Sequence, residues 1–439
     1  MVKVITYGTY DMLHYGHIRL LERARELGDY LIVGVTADDF DRARGKINVE
    51  QPLAERMEAV RATGLADEII VEEYEGQKID DIRRYNIDIF TVGSDWQGHF
   101  DYLNEYCKVV YLDRTAGISS SEIRSKKQAL KMAFVGSGPV LDKYIAESSF
   151  VNGMKEAGRL VISRVTDASS QDYEHILAQS DAVFLATHPD GHYQEIFSAL
   201  HRGVHVLCES PIAKTEDEAR CLQKIAQERG LVLMDAIKTA HAMAYARLLL
   251  LAKAGTVGRI VSVDATCTGM SGFRSHCTDG DAVQGAMDYW APTAVLPIVQ
   301  LLGDSFASES YVSFTDAAQK GVDMFVRGSF EYPNAVASFK VGRTVKSEGE
   351  LIISGTEGYI YVPAPWWKTD YFEVRRENAD NNRRYFFQLD GEGIRNQLAA
   401  FSRAVERGAR MPGVTLDESI AIARIFEHFC CARFTKTIN

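Results

Sequence analysis

Gly8-Thr9-Tyr10-Asp11-Met12-Leu13-His14-Tyr15-Gly16-His17 joins an apolar run at residues 2–7 to a segment carrying Ile18, Leu21, Ala24 and Leu27 at helical spacing. This is a glycine-bearing turn between a strand and a helix, and the helix N-terminus points back toward it. Free backbone N–H groups and the helix dipole make such an end an anion site. Gly16 lets a phosphate approach the backbone, and His14 and His17 are placed to donate to phosphate oxygens.

Working outward, apolar runs recur at 30–35, 68–71, 87–93 and 108–112 with helical stretches between them, the alternation of a parallel α/β sheet. A second series at 132–135, 160–165, 182–186, 205–208 and 231–234 follows directly. Beyond about residue 258 the pattern changes to alternating segments at 322–332, 335–341, 350–353 and 371–376, which predict a mostly antiparallel sheet. Two helices, 394–407 and 417–432, close the chain, and Thr415 with Glu418 fits a capping box for the second. Ser119 to Glu122 fits another, opening a helix through Leu130, so a stiff joint is expected near 128–131. The expected class is α/β: a Rossmann-like nucleotide domain over 1–130, a dinucleotide-binding Rossmann domain over 131–257 and an α+β domain over 258–439.

The 439 residues are 46% hydrophobic and 25% charged, a composition that buries cores. Lys+Arg total 49 against 60 Asp+Glu, a net charge of −11 with no long basic run, which argues against nucleic acid or anionic membrane as partners. No apolar stretch nears the roughly 20 residues that span a bilayer, and the first residues read as a strand rather than a signal peptide. A cytoplasmic protein without membrane insertion is expected. The cysteines at 107, 208, 221, 267, 277, 430 and 431 show no CxxC or Cys/His metal spacing, so reduced thiols are expected.

Two further segments support a site at the first loop. Gly93-Ser94-Asp95-Trp96 ends one predicted strand, and Arg114-Thr115-Ala116-Gly117-Ile118-Ser119-Ser120-Ser121 follows the next. Both sit at strand carboxyl ends, where parallel α/β folds place ligands. Together these residues resemble the glycerol-3-phosphate cytidylyltransferases of the HxGH nucleotidyltransferase superfamily, over about residues 1–128. Ser94 departs from an Asp of that pattern, and Ser120-Ser121 from two Thr. The resemblance implies that CTP and a polyol phosphate give a CDP-polyol and pyrophosphate with Mg²⁺. It implies catalytic roles for His14, His17, Lys46, Arg56 and Arg114. Nucleotide binding is implied for Gly8, Thr9, Tyr10, Asp11, Gly16, Gly93, Asp95, Trp96, Ser119 and Ser120, with Asp11 binding Mg²⁺ or orienting the loop.

In the second half, Met132-Ala133-Phe134-Val135 runs into Gly136-Ser137-Gly138-Pro139, a dinucleotide-type turn in which Leu141 takes the place of the third glycine. Asp167 is the candidate ribose-binding acid, 29 residues beyond Gly138. Ala186-Thr187-His188-Pro189 and Cys208-Glu209-Ser210-Pro211, with Gly285-Ala286-Met287-Asp288 and Gly355-Thr356-Glu357-Gly358 further on, resemble the Gfo/Idh/MocA family of NAD(P)-dependent oxidoreductases over about 131–436. The resemblance implies NAD or NADP held by Gly136, Gly138, Asp167, Thr187, His188, Glu209 and Pro211. Two positions depart from it. Its Glu-Lys-Pro reads Glu209-Ser210-Pro211, and its Asp-x-x-x-His ends in Pro292. Lys238 or His241 could take over the proton chemistry.

Two functions follow as alternatives. One is a bifunctional enzyme whose oxidoreductase half acts on a related sugar or polyol phosphate. The other is a cytidylyltransferase with an inactive Gfo-like module for ligand sensing or oligomerisation. Both resemblances imply a homo-oligomer, and CDP-polyols point to cell-surface polymer synthesis. The sequence leaves the polyol, and NAD against NADP, open.

Overall fold

The computed structural model describes the chain except residues 44–45, 47–48, 75, 114–128, 167–168, 271–283, 316–321, 409–412, 432–433 and 439, and the side chains at 42, 43 and 407. It divides into two compact units, Met1–Ala129 and Leu130–Asn439.

The first unit is a parallel sheet of β1 (Lys3–Gly8), β2 (Tyr30–Thr36), β3 (Glu68–Glu72), β4 (Ile89–Gly93) and β5 (Lys108–Leu112), ordered β3-β2-β1-β4-β5. Val4 and Ile5, and Leu31, Ile32 and Val33, are wholly buried because both faces of the central strands are covered. Leu21 and Ala24 of the helix Tyr15–Arg25 close one face. Strand order reverses between β1 and β4, opening a crevice at their carboxyl ends where the first loop emerges.

The second unit opens with β6 (Leu130–Gly136), β7 (Met154–Val161), β8 (Ala182–Ala186), β9 (His205–Cys208) and β10 (Leu233–Asp235), parallel in the order β10-β9-β8-β6-β7. Nine strands follow: β11 (Ile260–Gly269), β12 (Ser308–Thr315), β13 (Asp323–Glu331), β14 (Val336–Arg343), β15 (Leu351–Gly355), β16 (Gly358–Val362), β17 (Tyr371–Arg375), β18 (Arg383–Phe386) and β19 (Thr435–Ile438). Their order is β18-β17-β16-β15-β11-β14-β13-β12-β19, antiparallel apart from the β11–β14 and β12–β19 pairs. The predicted turn after β13 closes through Tyr332 N–H on the Ala335 carbonyl at 2.8 Å. The helix Leu416–Cys430 begins with the expected capping box. It is a wall shared by both cores of this unit: Ile420 and Ala423 face the parallel sheet, and Ile422, Ile425 and Phe426 the antiparallel one.

Three expectations are corrected. The strand expected at 160–165 is Met154–Val161, an edge strand that exposes Lys155, Glu156, Arg159 and Val161 and so lacks an apolar run. The strand expected at 231–234 is the short Leu233–Asp235. Leu130 begins β6 instead of ending a helix. Arg114, Ser119, Ser120 and Asp167 lie outside the described residues.

Candidate active sites

In the first unit, His14 caps the helix Tyr15–Arg25, its Nδ1 accepting from Gly16 N–H at 3.1 Å. One turn on, the His17 ring stacks on it at 3.9 Å between centroids. Burial, helped by His14 and Lys46, pushes the His17 imidazole down to about 3, so it is neutral near pH 7. Its Nδ1 finds no hydrogen-bond partner among the described residues. His17 therefore offers an uncharged ring beside His14, and an arriving polyphosphate would raise its affinity for a proton.

The loop before them is strained and braced. Tyr10 and Met12 adopt left-handed backbone angles, φ 53° and 49°, which cost of order 1–3 kcal/mol each unless their surroundings enforce them. Met12 N–H donates to Gln51 Oε1 at 2.7 Å, and Asp11 Oδ1 accepts from the Glu50 and Gln51 amides at 3.0 and 2.9 Å. Arg56 is wholly buried and donates to the carbonyls of Thr9 at 2.6 Å, Thr36 at 2.9 Å and Gln51 at 2.9 Å. It also meets Asp38 at 2.5 Å and Asp41 at 3.5 Å. The structure thus places Arg56 behind the loop as its clamp. Gly8 is held to glycine by Tyr10, since a Cβ there would lie 2.9 Å from that ring.

Lys46 is exposed, and its Nζ reaches Thr9 Oγ1 at 2.8 Å, which brings a cation to the histidine pair. Gly93 ends β4, and Asp95 and Trp96 follow it in an exposed turn whose Trp96 ring lies 5.4 Å from His99 and 5.8 Å from Phe100. The described residues gather no cluster of three His, Cys, Asp or Glu for a metal, and Asp11 is engaged by amides. Magnesium usually takes one or two carboxylates plus substrate phosphates, so these residues fit an ion that enters on a nucleotide better than a resident one.

In the second unit a cavity of about 650 Å³ opens at the carboxyl ends of β6, β8 and β9. Gly138, Thr187, His188, Glu209 and Lys238 line it. Gly136 lies beneath its floor at φ 146°, where a Cβ would stand 2.3 Å from the Ala186 carbonyl oxygen. Gly138 at φ 86° and Pro139 then open the helix Pro139–Ser148, a cradle that a nucleotide pyrophosphate fits. Pro211 is set back, its carbonyl 2.8 Å from His192 Nδ1. Because β7 ends at Val161, the first side chains beyond it in the cavity wall are Ser163 and Arg164.

Burial, with Asp235 adding and Lys238 opposing, raises the Glu209 carboxyl to about 7. Burial likewise lifts Asp235 to about 7 against the neighbouring Ser210 and Ser419 hydroxyls. Lys238 is drawn below its usual range by burial, against the pull of Glu392, which it meets at 2.5 Å. His241 is buried elsewhere and pushed down to about 4 by that burial. Pro292 and Ser210 both line the cavity. Sequence reasoning passed over Lys143, Lys368 and Glu392, although Gly391-Glu392-Gly393 carried the mark of a left-handed turn.

Comparison with known proteins agrees with this division. Residues 5–126 match the cytidylyltransferase-like family and residues 130–236 an oxidoreductase family with an NAD-binding Rossmann fold. Glycerol-3-phosphate cytidylyltransferase of Bacillus spizizenii is 48% identical over 130 residues, 30% of this chain and 100% of that protein. The enzyme of the same name from Staphylococcus aureus is 46% identical over 126 residues, 29% and 95% of the two chains. Among solved structures, a 3-ketoreductase from Actinomadura kijaniata in complex with NADP and TDP-benzene aligns with TM-score 0.58 at 17% identity, over 71% of this chain and 99% of that one. Levoglucosan dehydrogenase in complex with NADH and levoglucosan aligns with TM-score 0.55 at 20% identity, over 70% and 97%. At these identities the likeness establishes the fold of the second unit.

Proposed function

We propose that this chain, which belongs through its N-terminal unit to the glycerol-3-phosphate cytidylyltransferase family, makes a CDP-polyol of the CDP-glycerol kind from CTP and a polyol phosphate. The observation that carries the reading is the stacked His14–His17 pair on a helix N-terminus at the β1/β4 crevice, with Lys46 drawn to Thr9 beside it. A phosphate oxygen of the polyol attacks the α-phosphorus of CTP. That P–O bond forms as the bond to pyrophosphate breaks. No covalent enzyme intermediate is needed, only in-line positioning and neutralisation of charge on the leaving pyrophosphate. His14, His17, Lys46 and the helix amides supply that neutralisation, and Arg114 with Ser119 and Ser120 completes it. Arg56 and Asp11 hold the loop in shape, Gly8, Thr9, Tyr10 and Gly16 form its floor, and Asp95 and Trp96 beyond Gly93 take the cytidine. Magnesium carried by the triphosphate would add to the charge neutralisation, with Asp11 the loop's own carboxylate.

The second unit acts as an oxidoreductase on a related sugar or polyol phosphate, with a nicotinamide cofactor supplying or accepting hydride. Gly136, Gly138, Thr187, His188, Glu209 and Pro211 build the cofactor's site. Ser163 and Arg164 at the end of β7 favour NADP, since Val161 lies 161 − 138 = 23 residues past Gly138, near the usual spacing of about 20, and an Arg there suits a 2′-phosphate. Lys238 replaces the lysine lost at Ser210 and holds the proton at the substrate oxygen. The work divides over 1–130, 131–257 and 258–439, in a cytoplasmic homo-oligomer joined through the antiparallel sheet and serving cell-surface polymer synthesis.

The test is to supply CTP with three-, four- and five-carbon alditol phosphates, following pyrophosphate release, and the matching ketose or aldose phosphates with NADPH or NADH, following 340 nm absorbance. Arg164→Ala should cut the preference for NADPH roughly tenfold, the loss of a charge-assisted hydrogen bond. Pyrophosphate release without any absorbance change would leave the second unit as a sensing or oligomerisation module, the reading that Ser210 and Pro292 favour.

A further inference from the structure

Three lysines from three separate elements converge at one edge of the second unit's cavity: Lys143 on the helix Pro139–Ser148, Lys238 after β10, and Lys368 after the Trp366–Trp367 turn. All three meet a single carboxylate. Glu392 lies 3.2 Å from Lys143 Nζ, 2.5 Å from Lys238 Nζ and 3.3 Å from Lys368 Nζ. The chain goes to some length to put it there. Gly391, Glu392 and Gly393 all have left-handed backbone angles, φ 63°, 52° and 88°. Cβ atoms at the two glycines would lie 2.3 Å from the Glu147 carboxylate and 2.7 Å from the Lys238 carbonyl oxygen.

The charge does not balance. Three cations against the one carboxylate they share leave +2, and Glu209, which also acts on Lys238, brings this to +1; the adjoining Glu147 is taken up by Arg395 at 2.9 Å, which Asp390 also approaches at 3.8 Å from the solvent side. Lys238 is largely buried, whereas Lys143 and Lys368 face water that screens them, so the surplus makes an anion site open to solvent on one side. The cofactor cradle at Gly136–Pro139 lies on the same cavity, and Arg164 lines a further part of its wall.

We propose that Lys143, Lys238 and Lys368 form the receptor for a phosphate group on the substrate of the second unit, and that Glu392 occupies that receptor until the phosphate arrives. This rests on the oxidoreductase reading and names the residues that would hold its substrate's phosphate. A dianionic phosphate presents three acceptor oxygens to three ammonium groups, where the carboxylate presents two. The exchange frees Glu392 and leaves Lys238 beside both the phosphate and the reacting oxygen of a short polyol.

The experiment is competitive acetylation of the full chain with acetic anhydride, read lysine by lysine by peptide mass spectrometry, with saturating NADP alone, NADP plus glycerol, and NADP plus glycerol 3-phosphate. Position-specific readout separates these lysines from any phosphate held by the first unit, and the exposed Lys224 serves as internal control. Glycerol 3-phosphate should slow acetylation of all three roughly tenfold, glycerol should not, and Glu392→Gln should lower the concentration needed. Absence of slowing, or slowing already complete with NADP alone, would overturn the inference, the latter assigning the cluster to the cofactor. Since the assay needs no turnover, its failure is distinct from failure of the oxidoreductase reading: NADPH oxidation by an unphosphorylated ketose or aldose, or NADP reduction by an unphosphorylated polyol, would sink the phosphate receptor and leave hydride transfer by the second unit standing.

Discussion

The loop 8–17 of the first unit and the loop 136–139 of the second occupy equivalent places, each leaving the central region of a parallel sheet for a helix N-terminus, yet they are built on opposite plans. The first carries its own chemistry. His14 and His17 stand within the turn, and its strained Tyr10 and Met12 are held by Arg56, Asp11 and Gln51. The second carries almost none, since Gly136 and Gly138 only clear space for a ligand. Its reactive groups arrive from far along the chain, Lys238 after β10 and Glu392 ahead of the last helices. A self-contained loop tolerates little change in its chemistry, whereas a bare cradle can be served by different side chains. That is consistent with a second unit that has Ser210 and Pro292 where the pattern it resembles implies Lys and His.

The sharpest way to break this contrast is at the imported group. Lys238→Met should reduce NADPH-dependent turnover by on the order of a hundredfold to ten-thousandfold, the usual worth of a positioned proton donor, with NADP binding and pyrophosphate release unchanged. Retained hydride transfer would show that another group, Glu209 foremost, handles the proton. The counterpart in the self-contained loop is His17→Ala, which should cut pyrophosphate release about a hundredfold or more and leave any absorbance change at 340 nm untouched. Near-normal release would remove the loop from the chemistry altogether.

This contrast also decides what could be read without a structure. The first loop was legible because its histidines, glycines and flanking strand and helix are contiguous. The nine-stranded sheet was legible in type through its alternation, but β11, β12, β16, β18 and β19 went unassigned: β11 has buried residues on both faces, and β18 is short and charged. Edge strand β7 was misplaced for the same want of an apolar run, and the residues that follow it in the cavity wall are Ser163 and Arg164. The burial of Arg56 was invisible, since a charged residue in a helix ordinarily faces water and only tertiary packing turns this one inward. No local pattern could have joined Lys143, Lys238, Lys368 and Glu392, which span some 250 positions.

Bracing offers a second distinction. Removing the wholly buried Arg56 guanidinium takes from Asp41 one of its two cations, with Lys46 remaining at 3.6 Å, and takes a donor from each of three backbone carbonyls. Arg56→Met should therefore destabilise the first unit by about 3–5 kcal/mol, seen as an earlier unfolding transition for that unit in calorimetry, while the second unit's transition stays in place. A shift below about 1 kcal/mol would mean that Asp11 and Gln51 hold the strained loop without Arg56.

The smallest effect is one of sign, and it separates the two sites by their response to pH. His17 is held down near 3 in the folded chain against about 6.5 unfolded, so its contribution to stability is present above about 6.5 and is lost as pH falls toward 3, because the unfolded chain takes up a proton that the folded one refuses. Glu209 is held up near 7 against about 4.5 unfolded, so its contribution is present below about 4.5 and is lost as pH rises through 7, where the folded carboxyl must give up its proton into a buried wall. His17→Asn should then gain on wild type as pH drops to about 5, and Glu209→Gln should gain on wild type as pH rises to about 8. Each difference is roughly 1–2 kcal/mol between those conditions, read from the matching transition in calorimetric scans. Opposite slopes would mark one site that excludes a proton until polyphosphate binds and another that keeps one ready near neutral pH. Parallel slopes would mean that burial fails to keep one of the two groups uncharged, and if that group is Glu209 it would lose its standing as the alternative to Lys238.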